Sequence, residues 1–78
     1  MQDTVLEILE EICEDSVVRE NPDIHLFDNG LLDSLGVASL VVELEEQLDI
    51  HLILTEINRE DIETPRKLLE YLQDRVDA

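Results

Sequence analysis

One serine stands where chemistry could be done. The stretch "LFDNGLLDSLGVASLVVELEEQ", Leu26 to Gln47, sets Ser34 between Asp33 and Leu35, after a glycine-bearing loop and at the head of a helix-like run. A serine hydroxyl is a weak nucleophile until a base activates it. No base adjoins Ser34 in this stretch. Two uses of the hydroxyl remain: it helps to start a helix, or another enzyme modifies it. With Asp33 as N-cap, Ser34 falls in the first helical turn with its hydroxyl outward. Backbone N–H groups and the positive end of the dipole favour an added phosphate there. Gly36 keeps the opposite side of that turn clear of bulk.

The other reactive side chains offer less. His25 and His51 lie in expected connections, with no cysteine or second histidine at ligand spacing from either. A zinc site needs such a set, so both read as surface or loop-packing residues and no metal is expected. Cys13 lies at the edge of an apolar helix face and reads as a small core residue. "DIHLFDNG" invites comparison with a calcium loop, but Leu26 interrupts the ligand series and Gly36 stands where the closing glutamate belongs. The 21 acidic residues act as acid and base only where a pocket desolvates them. No catalytic residue is assigned.

Four segments carry the helical signals that must position Ser34. The first opens with "TVLE", where Thr4 and Glu7 have capping-box spacing. Val5, Leu6, Ile8, Leu9, Ile12 and Cys13 then share one side at helical period. Residues 15–33 form a long connection, with Asn21-Pro22 and Asn29-Gly30 as turn signals around "DIHLF". An irregular segment of that length is unusual in a small domain. Its residues Val17, Val18, Ile24, Leu26, Phe27, Leu31 and Leu32 predict that it packs over the helices.

The second helix is expected from Asp33 or Ser34 to about Leu48. Val37, Leu40, Val41, Leu44 and Leu48 form its core-facing side. Leu35, Ala38 and Val42 fall on a separate side bordered by Glu45, Glu46 and Asp49. Such an acid-rimmed apolar stripe suits a docking surface. "IHLILTEI" reads as an extended connection covering the core. Asn58 caps a short helix through Ile62, and Thr64-Pro65 starts the last helix. That helix, roughly 65–76, buries Leu68, Leu69, Leu72 and Val76. The fold class is all-α: a bundle of three main helices plus one short helix, with a long loop between the first two.

Composition bounds the rest. Seventy-eight residues, 44% of them apolar, make a single domain over 1–78 with a small aliphatic core. Phe27 and Tyr71 are the aromatic residues. One cysteine excludes an intrachain disulfide and fits a reducing, cytoplasmic setting. The sequence shows no secretory signal and no apolar run near the ~18 residues that a bilayer requires. Five basic residues against 21 acidic ones leave a formal charge of −16. That surface repels nucleic acid and anionic lipid and steers toward basic patches on other proteins.

The run "GLLDSLGVASLVVELEEQLDI" resembles the phosphopantetheine attachment region of acyl and peptidyl carrier proteins. In that family a glycine-containing loop leads into Asp-Ser-Leu and then a Glu-rich recognition helix. Both flanks continue the likeness. "ENPDIHLFDNGLLDSLG" and "LTEINREDIETPRKLLEYL" are similar to the D-alanyl carrier subfamily, in Gly36 after the Asp-Ser-Leu motif and in the spacing of Thr55, Glu56, Arg59, Thr64 and Pro65. Leu35 stands where that subfamily often has Phe or Met, and Ile57 and Ile62 stand in place of aromatics.

The resemblance implies an acyl-carrier-like bundle with 4′-phosphopantetheine covalently attached to Ser34. Asp33, Leu35 and Gly36 complete the motif, and Leu35, Ala38, Val42, Glu45 and Glu46 form the partner-reading face. It implies three partners: a phosphopantetheinyl transferase, a D-alanine–carrier ligase, and a membrane-bound D-alanyl transfer system serving teichoic acid. The chain would be a monomeric carrier rather than an enzyme. Two other readings stay open: a different free-standing acyl or peptidyl carrier, and an unmodified acidic helical interaction module.

Overall fold

The computed structural model describes residues 2–77, with side chains described through Arg75. Four α-helices occur in the order α1 (Gln2–Cys13), α2 (Val17–Glu20), α3 (Ser34–Leu48) and α4 (Pro65–Asp77). Two 3₁₀ turns, Leu54–Glu56 and Arg59–Ile62, lie between α3 and α4. No strand occurs among the described residues. The all-α expectation holds.

Helical periodicity builds the core. Val5, Ile8 and Leu9 of α1 meet Val37, Leu40 and Leu44 of α3 and Leu68 and Leu72 of α4, all buried. α1 packs against each of the other three helices. Leu48 and Leu69 are partly buried against the same cluster. Val76, expected in this core, lies outside the described side chains. Cys13 is half-buried, and burial, aided by the charge of Asp15, pushes its thiol up to about 11. A thiol held protonated is a poor nucleophile, as a core residue should be.

The long connection is built as expected, with one addition. Val18, Leu26 and Leu32 are buried, and Val17, Ile24, Phe27 and Leu31 pack partly buried against the core. Val17–Glu20 closes a turn of helix within the connection expected to be irregular. Its two adjacent valines mask any helical period over so short a run. Backbone bonds then hold the remainder: Leu26 N–H donates to Glu63 O at 2.8 Å, and Leu26 O accepts from Leu31 and Leu32 at 2.9 and 3.1 Å. Gly30 adopts φ +69° at the tip, a backbone that glycine adopts without steric cost.

Long-range polar contacts fasten the same loop to the start of α4. Arg66 grips Asp23 through two bonds, Nε–Oδ1 at 2.8 Å and Nη2–Oδ2 at 3.2 Å. The hydrogen bond, and then the guanidinium charge, hold the Asp23 carboxyl below the usual carboxylate range. His25 Nδ1 lies 2.8 Å from Glu63 Oε1. Thr64 caps α4 by accepting from Lys67 N–H at 3.1 Å, and Pro65 takes the first helical position.

Three expectations need correction. Thr4 does not cap the first helix: α1 already includes Gln2 and Asp3. Asp3 sits near the positive dipole end and supports the earlier start. The short helix through Ile62 is a 3₁₀ turn, with Asp61 Oδ2 accepting from Asn58 N–H at 3.3 Å. "IHLILTEI" covers the core only in part. Ile50 is buried and Leu52 and Ile57 pack partly against it, but Ile53 and Leu54 are 60% and 46% exposed. Alternation puts buried Ile50 and partly buried Leu52 on one side and turns Ile53 to the other, and the 3₁₀ turn that begins at Leu54 breaks the alternation there.

Candidate functional site

Ser34 occupies the first residue of α3 and is exposed. Asp33, in an extended conformation, is the N-cap, and its Oδ1 accepts from Gly36 N–H at 2.8 Å. Asp33 O also takes the Val37 N–H at 2.9 Å. The cap is therefore supplied by Asp33, which leaves the Ser34 hydroxyl outside that pair of bonds. Asp33→Ala should cost about 1 kcal/mol of unfolding free energy, seen as a lower urea midpoint at an unchanged slope. A loss below about 0.3 kcal/mol would mean that the cap bond does not hold this helix end.

Gly36 has a tighter reason for being glycine than the sequence suggested. A Cβ there would stand 2.9 Å from Leu32 Cδ1 and 3.3 Å from both Asp33 Oδ1 and Ile12 Cγ2. The side of the turn opposite Ser34 is therefore filled by α1, by the loop and by the capping carboxylate. Glycine lets the helix start lie directly against them. The site is closely packed on its inner side.

On its outer side lies an open groove of about 530 Å³. Ser34, Asp33 and Val37 form one wall with Leu32; Phe27, Leu54, Ile57, Arg59 and Ile62 complete it. The lining is mostly aliphatic. Its one basic residue, Arg59, stacks its guanidinium carbon 4.4 Å from the Phe27 ring centroid. Sequence reasoning singled out Ser34 and Asp33 but did not place Phe27, Leu54 or Arg59 at the site. For Arg59 a signal existed: a cation is scarce in a chain of charge −16, and each one invites a search for its partner.

The expected docking residues are gathered on the same helix. Leu35 is 80% exposed and Val42 52% exposed, with Ala38 half-buried between them. Glu45 and Glu46 are exposed at the far end. The apolar stripe is real and uncovered. His25, Asp28 and Glu63 offer donor atoms within 4.8 Å of one another, but these groups hold the long loop to the second 3₁₀ turn. Among the described residues, no helix is long and apolar enough to cross a membrane.

Comparison with known proteins agrees with this geometry. The family described as "Phosphopantetheine attachment site" matches residues 3–72. A D-alanyl carrier protein of Abiotrophia defectiva is 49% identical over 78 residues, covering 100% of this chain and 99% of that protein. D-alanyl carrier proteins of Bacillus cereus (strain B4264) and Bacillus anthracis (strain CDC 684 / NRRL 3495) are each 42% identical over 73 residues, covering 94% of this chain and 92% of theirs. Matched over nearly its whole length, the chain belongs to the phosphopantetheine attachment family, as a carrier protein that bears covalent 4′-phosphopantetheine.

Proposed function

We propose that the chain carries D-alanine as a thioester on 4′-phosphopantetheine attached to Ser34, for D-alanylation of teichoic or lipoteichoic acid. The observation that carries this reading is the exposed Ser34 hydroxyl, set by the Asp33 cap at the start of α3 and beside an open groove. The D-alanyl carrier relatives support the cargo. The site suits the group: its N-terminal N–H donors favour a phosphodiester, and the groove gives a flexible arm an apolar wall.

Ser34 is the tether and not a catalyst. A phosphopantetheinyl transferase using coenzyme A and magnesium supplies the base that the serine lacks. The Oγ–P bond forms as the pyrophosphate P–O bond breaks, adenosine 3′,5′-bisphosphate leaves, and the hydroxyl proton passes to that base. A D-alanine–carrier ligase then loads the thiol at the expense of ATP in the cytoplasm. A membrane-bound transfer system draws the D-alanyl group onward.

The test is intact mass. Incubation with coenzyme A, magnesium and a transferase should add one phosphopantetheine, and ligase with ATP and D-alanine should then add one alanyl group. No increment on folded protein, even with the transferase of the same organism, overturns the carrier reading. An arm that accepts another amino acid or a fatty acyl chain but not D-alanine would leave the carrier and replace the cargo.

Leu35, Ala38, Val42, Glu45 and Glu46 are the proposed docking face. Reversing Glu45 and Glu46 to Lys should slow association with the transferase or ligase roughly tenfold at low salt, and less at high salt. Stopped-flow association rates that stay the same for both enzymes would remove this face.

A further inference from the structure

We infer that Arg59 is the counter-charge for the modified serine: its guanidinium pairs with the phosphodiester on Ser34 and lays the first part of the arm along the groove. The inference rests on Ser34 being the attachment point. It starts from an electrostatic difficulty. Modification adds an anion directly beside Asp33 in a chain whose formal charge is already −16. The helix start offers partial positive charge, but no full cation lies on α3.

The groove supplies one. Arg59 is the one basic residue in its lining, and it shares that lining with Ser34 and Asp33. The other four basic residues lie outside the groove lining. Arg19 approaches Asp3, Arg66 grips Asp23, Lys67 approaches Glu63, and Arg75 bonds Tyr71. Arg59 stands apart by lining the same groove as Ser34. Its face stacks on Phe27 at 4.4 Å, while its nearest carboxylate, Asp28, stands 4.0 Å from Nη2. That distance, like the 3.6 Å of the Arg19–Asp3 and Lys67–Glu63 pairs, is beyond a hydrogen bond.

A guanidinium held over a ring still has its N–H donors to be matched. A phosphodiester presents two anionic oxygens that suit such a fork. The Arg59 side chain is 66% exposed, so it can reorient without disturbing the core. The 3₁₀ turn that carries it is anchored at its other end by buried Ile62.

The experiment compares unmodified and modified protein, with intact mass as the control. In wild type, modification should shift the Arg59 Nε–Hε resonance and slow its hydrogen exchange roughly two- to fivefold, the scale of an exposed charge pair. The ³¹P resonance of modified Arg59→Gln should differ from wild type, and that difference should shrink in high salt. Arg59→Lys should recover only part of the wild-type ³¹P position, because an ammonium lacks the fork. Complete modification with an unmoved Arg59 resonance and identical ³¹P spectra overturns the inference alone. A phosphopantetheine increment that persists in Ser34→Ala overturns the attachment reading and the pairing with it.

Discussion

Ser34→Ala is expected to abolish phosphopantetheine attachment, and with it every downstream aminoacyl transfer, while the protein stays folded. The two effects separate because the serine has no structural task that the alanine cannot do. Asp33 supplies the cap bond, to Gly36 N–H at 2.8 Å. Ser34 itself is exposed on the first helical turn. Alanine is the better helix former, so the change in unfolding free energy should stay within about 0.5 kcal/mol. Intact mass and a urea titration together make the test. A full increment on the variant would move the tether to another hydroxyl, with Ser39 and Ser16 the remaining serines. Loss of the increment together with unfolding would assign Ser34 a structural role instead.

Leu26→Ala should have the largest effect on stability, about 2–5 kcal/mol. Leu26 is fully buried although it belongs to a connection. Its backbone joins the loop to Glu63 on one side and to Leu31 and Leu32 on the other. Truncation removes apolar contacts in the core and leaves a cavity where the loop crosses it. Seventy-eight residues give a total stability of only about 4–12 kcal/mol. The substitution therefore removes a large part of it, and at the low end of that range the variant is unfolded. An unfolding free energy within about 1 kcal/mol of wild type, from urea titration, would mean that the loop lies over the core without belonging to it. Because Leu32 leads straight into Asp33, a loosened loop should also slow modification of Ser34.

These two outcomes concern different layers of the molecule. Ser34 lies on an outer face, so its loss is expected to spare the fold. Leu26 is packed on an inner face, so its loss is expected to act on the site through the fold. Arg59 lies between them, on a 3₁₀ turn anchored by Ile62 and lining the same groove as the serine.

The sequence alone determined the helices that matter and the residue that opens α3. Apolar positions at helical period, Asp33 before Ser34, and Thr64 before Pro65 act through contacts within a turn or two of chain, and such contacts are written locally. The burial of Val18, Leu26 and Leu32 was also legible, since apolar residues in a connection must find cover. Thr4 misled because a capping pattern four residues into the chain also fits the interior of a helix that starts earlier. Tertiary packing decided the remainder. It turned Ile53 and Leu54 outward although they read as cover for the core. It placed Ile12 and Leu32 where a Gly36 side chain would be. Above all, it brought Phe27, Leu54, Ile57 and Arg59 to the serine from separate parts of the chain. Such neighbours are set by how the 3₁₀ turns lie against α3 and the long loop, and that is a balance of burial across the whole fold which no local period records.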